Sequence, residues 1–122
     1  MPILDVEVVL RPGESLPRHL AADIADRVGE VLGTPPGRTW VKLHSLPPEH
    51  YAENGDAGEG FYPVFVSILK NQLPASEAMP TEVAQLTDVI AQACARPAEN
   101  VHLIYRPAGA GRVAFGGRPI SA

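Results

Sequence analysis

The chain opens on an alternating stretch, residues 2–10 with the sequence PILDVEVVL. Apolar side chains alternate here with the acidic residues Asp5 and Glu7. Alternation of this kind predicts a strand over residues 3–10, with one face in a core and the other face polar. The stretch ends at Pro12-Gly13, which predicts a turn.

A helix is predicted after this turn. Ser15 is suited to the N-cap, and Pro17 to the first helical turn, where a missing N–H costs little. Gly33 and the pair Pro35-Pro36 predict where the helix ends. The apolar side chains recur every fourth residue and therefore share one helical stripe: Leu16, Leu20, Ile24, Val28 and Leu32.

The same order of elements recurs along the rest of the chain. A second strand is predicted over residues 39–46 and a polar loop over 47–60. A strand over 61–69, a helix over 80–95 and a strand over 100–105 follow, and residues 109–118 predict a short strand or a hairpin. The inward positions of the second helix are Val83, Leu86, Ile90 and Ala93 or Cys94.

The two halves match in spacing as well as in pattern. Pro36 and Trp40 follow Pro2 at the spacing at which Pro97 and Val101 follow Pro63. This repetition predicts two tandem β-α-β units, about residues 2–60 and 61–118, within one domain that spans residues 1–122. Right-handed crossovers then give an α/β (α+β) fold in which a four-stranded sheet carries both helices on one face. The other face of the sheet is left uncovered, so we expect an oligomer.

Composition narrows the classes of function. The chain has 122 residues, a formal net charge of -4 and one cysteine, Cys94. The mild acidic excess gives no reason to expect nucleic acid or a membrane as a partner. A single cysteine excludes an intrachain disulfide and favours the cytoplasm, and no apolar run reaches the length of a membrane span. The four histidines lack metal-ligand spacing and the sequence has no phosphate-binding glycine loop, so neither a metal nor another cofactor is expected.

Several features resemble the tautomerase superfamily. Met-Pro followed at once by a strand, and then a duplicated β-α-β unit, is the arrangement of its longer members, which form trimers. The turn Gly33-Thr34-Pro35-Pro36 is similar to that of macrophage migration inhibitory factor. Residues 101–117, ending in Phe115-Gly116-Gly117, resemble the second strand and tail of 4-oxalocrotonate tautomerase (4-OT). The resemblance implies the same fold, a homotrimer, and a cofactor-independent isomerase acting on a small carboxylate.

The resemblance also implies that Pro2 is the reactive group. Removal of Met1 by an aminopeptidase gives Pro2 a secondary amine. An exposed α-amino group has a pKa of about 7.7–8.0. Burial in an apolar cavity and cationic neighbours lower that pKa, which leaves a neutral base at physiological pH. Pro63, the equivalent residue of the second unit, is an internal amide and has no such base.

The remaining site residues are predicted by alignment with the family and by charge. His102 stands where 4-OT has a substrate-binding arginine, and Lys42 lies on the equivalent strand of the first unit. Cationic side chains and apolar neighbours of the amine complete the prediction: Arg11, Arg106, Arg112, Tyr51 and Val113. For each of them, a solvated or purely structural role is the alternative.

The chain departs from the family at Thr34, where migration inhibitory factor has lysine, and at His102, where it has a pocket tyrosine. These departures leave two other functions open. One is a dehalogenase, hydratase or decarboxylase that uses a protonated Pro2. The other is a noncatalytic oligomeric binding protein with retained Met1. A dehalogenase needs a water-activating carboxylate, for which the long loop offers Glu49, Glu53, Asp56 and Glu59.

Overall fold

The computed structural model describes residues 2–55 and 60–121. The first unit consists of β1 (Ile3–Val9), α1 (Leu20–Leu32) and β2 (Trp40–Leu46). The second consists of β3 (Val64–Leu69), α2 (Met79–Cys94) and β4 (Val101–Tyr105). Two short 3-10 helices, Pro48–His50 and Ala98–Asn100, and a terminal hairpin of β5 (Ala114–Phe115) and β6 (Arg118–Pro119) complete the described chain.

The predicted sheet is confirmed. Its strand order is β2-β1-β3-β4, with β1 parallel to β2, β3 parallel to β4, and the two units joined by antiparallel pairing of β1 with β3. This pairing places the start of β1 beside the end of β3, since Ile3 faces Leu69 across the ladder. The sheet therefore has a Pro2 end, where β1 and β2 begin and β3 and β4 end, and an opposite end near Arg96.

One face of the sheet and both helices enclose the core. The alternating apolar residues of β1 and β3 have no exposed surface, and neither do Ile24, Val28, Leu86 and Ile90 from the helices. Cys94 is also buried in this cluster, as its helical position predicted. Burial of apolar surface at about 25 cal/mol per Å² is the main force that holds the two helices against the sheet.

The opposite face, here called the open face, is covered by neither helix of the described residues. It mixes ionic and apolar side chains, and Trp40 and Ile104 are 44% and 55% exposed. The strand register places on it Ile3, Asp5, Glu7, Trp40, Lys42, His44, Phe65, Ser67, Leu69, His102 and Ile104.

The first helix begins later than the sequence predicted. Ser15 is not its N-cap: α1 starts at Leu20, after a turn in which the Leu20 N–H donates to the carbonyl of Pro17. The preceding segment is tied down by Glu14, whose side chain accepts the N–H of Arg11 at 2.9 Å. Because Glu14 is held in this way, the helix begins only several residues after it, at Leu20.

The third strand is also shorter than predicted, starting at Val64 instead of residue 61. Pro63 has no N–H to donate to a strand ladder. The carbonyl of Tyr62 is bound by the guanidinium of Arg96 at 2.8 Å. Strand β3 therefore begins only after these two residues.

The end of the chain forms the predicted hairpin. Gly116 and Gly117 connect β5 to β6 with φ angles of 57° and 85°. Two consecutive positive φ angles are typical of a tight hairpin turn and favour glycine. Phe115 packs edge-on against Trp40, with ring centroids 5.0 Å apart, so the hairpin lies at the Pro2 end.

No helix in the described part of the chain has the length and hydropathy that crossing a membrane requires.

Candidate active site

Pro2 is buried at the start of β1. Its carbonyl oxygen accepts a 3.0 Å hydrogen bond from the backbone N–H of Trp40, beside the first residue pair of the β1–β2 ladder. The sheet therefore fixes the position of this residue. Met1 lies outside the described residues.

A cavity of about 150 Å³ borders Pro2. It is formed by three parts of the chain: the start of β1, the end of α1 with the turn that follows it, and the segment that follows β3. Antiparallel pairing of the two units is what brings these parts together. The lining residues are Pro2, Leu32, Thr34, Lys70, Asn71 and Gln72.

Lys70 belongs to a half-buried polar cluster. Its ammonium donates to Glu82 Oε1 at 2.8 Å, and the hydroxyl of Tyr105 donates to Glu82 Oε2 at 2.6 Å. The side chains of Lys70 and Glu82 are only 19% and 15% exposed. Burial, together with the hydrogen bond to Glu82, raises the pKa of Tyr105 above its ordinary value, so the phenol stays protonated as a donor.

The segment after β3 is held by the loop that follows β4. The N–H groups of Gly109 and Ala110 donate to the carbonyls of Lys70 and Asn71, at 2.8 Å and 3.2 Å. The side-chain oxygen of Asn71 is shielded from solvent and has no hydrogen-bond partner within residues 2–55 and 60–121. In this wall of the cavity, the backbone of Lys70 and Asn71 is fixed by hydrogen bonds, and the Asn71 side-chain oxygen is a buried acceptor without a donor among the described residues.

Three of the predicted site residues lie at the Pro2 end. Arg106 directly follows β4, and its backbone N–H donates to Ile68 at 2.8 Å while its side chain is exposed. The guanidinium of Arg112 donates to the carbonyls of Ala108 and Pro107, both at 3.0 Å, and so stabilises its own loop. Val113 is half-buried in the same segment.

Lys42 and His102 lie elsewhere on the open face. Lys42 is paired with Asp5 at 3.1 Å, the residue two positions along β1 from Ile3. His102 is paired through Phe65 with Glu7, four residues along β1 from Ile3. At about 3.3 Å per residue, that row is about 13 Å from the Pro2 end. Within one chain, His102 and Pro2 are therefore not brought together.

Tyr51 lies beside the His102 row. Its ring contacts Phe65 with centroids 5.9 Å apart, and Phe65 in turn contacts His102 at 5.5 Å. The Tyr51 hydroxyl donates to Glu53 at 2.6 Å, and this bond, helped by burial, raises the pKa of Tyr51 to about 12.

The loop carboxylates considered for a dehalogenase are only partly described. Asp56 and Glu59 lie outside the described residues. Glu49 is exposed in a 3-10 helix, and Glu53 accepts the Tyr51 hydroxyl. Within residues 2–55 and 60–121, no group of three His, Cys, Asp or Glu side chains is placed to hold a metal ion.

Arg11 lies at the end of the sheet opposite Pro2. Its guanidinium donates to Glu14 at 3.3 Å and to the carbonyl of Ala95 at 2.8 Å. The adjacent Arg96 is buried and donates both to the two carboxylate oxygens of Glu14 and to three backbone carbonyls. Hydrogen bonding to Arg96 lowers the pKa of Glu14. This cluster ties together the ends of β1 and α2 and the approach to β3.

Solved structures with similar backbones identify the fold. A fused 4-OT that forms a symmetric trimer matches with a TM-score of 0.75 and 12% identity, over 95% of this chain and 93% of that one. Macrophage migration inhibitory factor from Oncomelania hupensis matches with a TM-score of 0.71 and 19% identity, over 96% of this chain and 80% of that one. The chain has the tautomerase-superfamily fold.

A third tautomerase-fold structure is a malonate semialdehyde decarboxylase inhibited by 3-bromopropiolate. It matches with a TM-score of 0.67 and 21% identity, over 93% of this chain and 88% of that one. The search with protein-family models finds no match, and neither does the search of curated protein sequences. The tautomerase fold is therefore established by backbone geometry.

Lys70, Glu82 and Arg96 were not among the residues predicted from the sequence. A signal for the first two was present, because a β-α-β crossover returns the first turn of its helix to the edge where its first strand ends. Lys70 follows β3 and Glu82 lies in the first turn of α2. Arg96 gave no such signal, since its partners come from four separate segments of the chain.

Proposed function

We propose that this tautomerase-fold protein is an isomerase whose general base is the amine of Pro2, freed by removal of Met1. The observation that carries the proposal is the position of Pro2, buried at the start of β1 and bordering a cavity. The substrate class is a small unsaturated 2-oxo or 2-hydroxy carboxylate, which fits a cavity of about 150 Å³.

The proposed reaction is proton transfer without a cofactor. The neutral amine takes the proton of a 2-hydroxyl group as its O–H bond breaks and the carbonyl forms. The prolyl ammonium then returns a proton to the carbon at the far end of the former double bond. No charge or atom is gained or lost overall, and general base catalysis by one group contributes about 10²- to 10⁴-fold to the rate.

We further propose that copies of the chain pack through their open faces. The exposed Trp40 and Ile104 make this face costly to leave in water, and the fused 4-OT of the same fold is a trimer. Because His102 is distant from Pro2 within one chain, it can serve a Pro2 cavity only from a neighbouring copy. Tyr51 lies beside His102 and shares this arrangement. Lys42 is nearer, two positions along β2 from Trp40, and Arg106, Arg112 and Val113 lie at the cavity's own end of the sheet.

The test compares two prolines of the same chain. Pro2→Ala should lower the rate of phenylenolpyruvate or 2-hydroxymuconate ketonisation by about 100-fold or more, because the base is changed. Pro63→Ala is the matched control, since Pro63 is buried and its carbonyl accepts the Val9 N–H at 3.0 Å, as the Pro2 carbonyl accepts that of Trp40. A fully active Pro2→Ala enzyme would exclude Pro2 as the base.

Two measurements separate the alternatives. The decarboxylase among the structural neighbours favours a second candidate, a hydratase-type enzyme with protonated Pro2. An NMR titration of the prolyl nitrogen distinguishes them, because a base requires a pKa below about 7 and an acid a pKa near 9. Intact-mass measurement of protein from its native cell tests the noncatalytic alternative, for which Met1 would be retained.

A further inference from the structure

We propose that Lys70 is the cation with which each chain binds the substrate carboxylate in its own Pro2 cavity, and that Glu82 and Tyr105 are its positioning residues. The inference rests on the proposed function, since it names the group that recognises the substrate of that site. It differs from the sequence prediction, which assigned carboxylate binding to arginines, Lys42 and His102.

The geometry of the cavity supports this assignment. Lys70 and Pro2 line the same cavity of about 150 Å³, so a ligand that contacts one is within a few ångströms of the other. An ammonium group carries three N–H donors. Glu82 accepts one of them, and the described residues provide no second acceptor for the side chain. Two donors therefore remain for a carboxylate.

The cluster around Lys70 is built to hold the ammonium in place. A free lysine side chain loses rotamer entropy when it is immobilised, and this loss opposes binding. Here the ion pair with Glu82 has already ordered the side chain, and Tyr105 fixes the second carboxylate oxygen at 2.6 Å. A substrate carboxylate would thus meet an oriented donor in a half-buried setting, where a charge-assisted hydrogen bond is strong.

The other cations described above are less suited to this role. Lys42 is 63% exposed and paired with Asp5 on the open face. Arg112 uses its guanidinium for the carbonyls of its own loop. Arg11 and Arg96 are at the opposite end of the sheet and bind Glu14. Arg106 is exposed and is not among the residues that line the cavity. Lys70 alone among these six combines partial burial with a position on the Pro2 cavity.

The experiment measures binding of 2-oxobutyrate, a small 2-oxo carboxylate, to the mature protein by calorimetry at pH 7. Lys70→Met should weaken binding about 10-fold or more, the loss expected from one charge-assisted hydrogen bond. Lys70→Arg should recover part of the affinity. Arg27→Met, which removes a cation from an exposed ion pair on α1, is the matched control and should remain within about twofold of the unmodified protein.

Steady-state kinetics test the positioning residues. Tyr105→Phe removes only the hydroxyl, and it should raise KM while kcat stays near its original value, because the base is untouched. If Lys70→Met fails to fold with Glu82 left unpaired, Lys70→Met/Glu82→Gln removes both charges and gives the same binding test. Normal 2-oxobutyrate affinity in either folded variant would overturn the inference.

The outcome is independent of the test of Pro2, since binding requires no turnover. Loss of activity in Pro2→Ala together with normal binding in Lys70→Met would leave the base in place and remove the assignment of Lys70. Full activity in Pro2→Ala together with weak binding in Lys70→Met would exclude Pro2 as the base and keep the assignment of Lys70 as the carboxylate-binding cation.

Discussion

Replacement of Arg96 by methionine tests how the end of the sheet opposite Pro2 is held together. The side chain of Arg96 is 1% exposed and makes five hydrogen bonds, to Glu14 and to the carbonyls of Tyr62, Cys94 and Val9. Arg96→Met keeps most of the aliphatic stem, so it creates little cavity. What it removes is the charge and every donor.

The expected cost follows from the burial of the pair. Removing one partner of a buried ion pair destabilises a protein by about 3–5 kcal/mol. The Glu14 side chain remains 20% exposed and can rehydrate in part, so we expect about 3 kcal/mol, the lower end of that range. Arg27→Met is the control: its ion pair with Asp23 has side chains 37% and 44% exposed, so it should cost less than about 1 kcal/mol.

The pH dependence of stability provides a second readout. Hydrogen bonding to Arg96 holds the pKa of Glu14 below its ordinary value of 4.5. A group whose pKa is lower when folded stabilises the protein above its unfolded pKa, and this contribution is lost as the pH falls through the folded pKa. The unmodified protein should therefore lose stability below about pH 4.5 more steeply than Arg96→Met.

Urea unfolding followed by circular dichroism measures both effects. The protein concentration is kept constant, because the stability of an oligomer depends on it. The reasoning would be refuted if Arg96→Met were no less stable than Arg27→Met. It would also be refuted if Arg96→Met and the unmodified protein had the same slope of stability against pH in acid.

Two further predictions concern the core and the open face. Burial raises the pKa of Cys94 to about 11, so the native protein should not react with a thiol reagent at pH 8 and should react fully in urea; rapid labelling of the native protein would contradict this. Ile104→Lys should dissociate the proposed oligomer in light-scattering measurements, because Ile104 is 55% exposed on the open face. Gln85→Lys, at an exposed position on α2, should leave the assembly unchanged; an intact Ile104→Lys oligomer would show that copies pack elsewhere.

Local patterns were sufficient to predict the elements of the fold. The alternation in residues 3–9 and the fourfold spacing in α1 are short-range properties, and both reflect burial against one core. The matching spacing around Pro2 and Pro63 then predicted the topology, because it indicated two β-α-β units in tandem. The start of α1 was predicted wrongly because Glu14 is held by Arg96, a partner far along the chain.

The site was less accessible to sequence reasoning, for a related physical reason. His102 was selected by alignment with relatives. Its position on one strand does not determine whether it would serve the Pro2 cavity of its own chain or that of a neighbouring copy. Lys70 and Tyr105 meet at Glu82 only because the crossover of the second unit brings three separated segments to one edge. Such convergence depends on the register of β3 with β4, which local patterns do not determine.

The duplicated unit explains why only one end of this sheet is proposed as an active site. Pro2 and Pro63 occupy equivalent positions, and both are buried. At Pro63, the preceding carbonyl belongs to Tyr62 and is bound by the guanidinium of Arg96, which also neutralises Glu14. At the Pro63 end, the Arg96 guanidinium therefore donates all its hydrogen bonds to groups of the protein, and Pro63 has no free amine. At Pro2, Lys70 lines the adjoining cavity, and the removal of Met1 proposed above would free the amine. We therefore infer that the second unit uses Pro63 for stability and that the first unit uses Pro2 for chemistry.

Two variants test this division. Pro63→Ala should lose stability but keep kcat, and Pro2→Ala should keep stability but lose kcat; the opposite pattern would refute the inference.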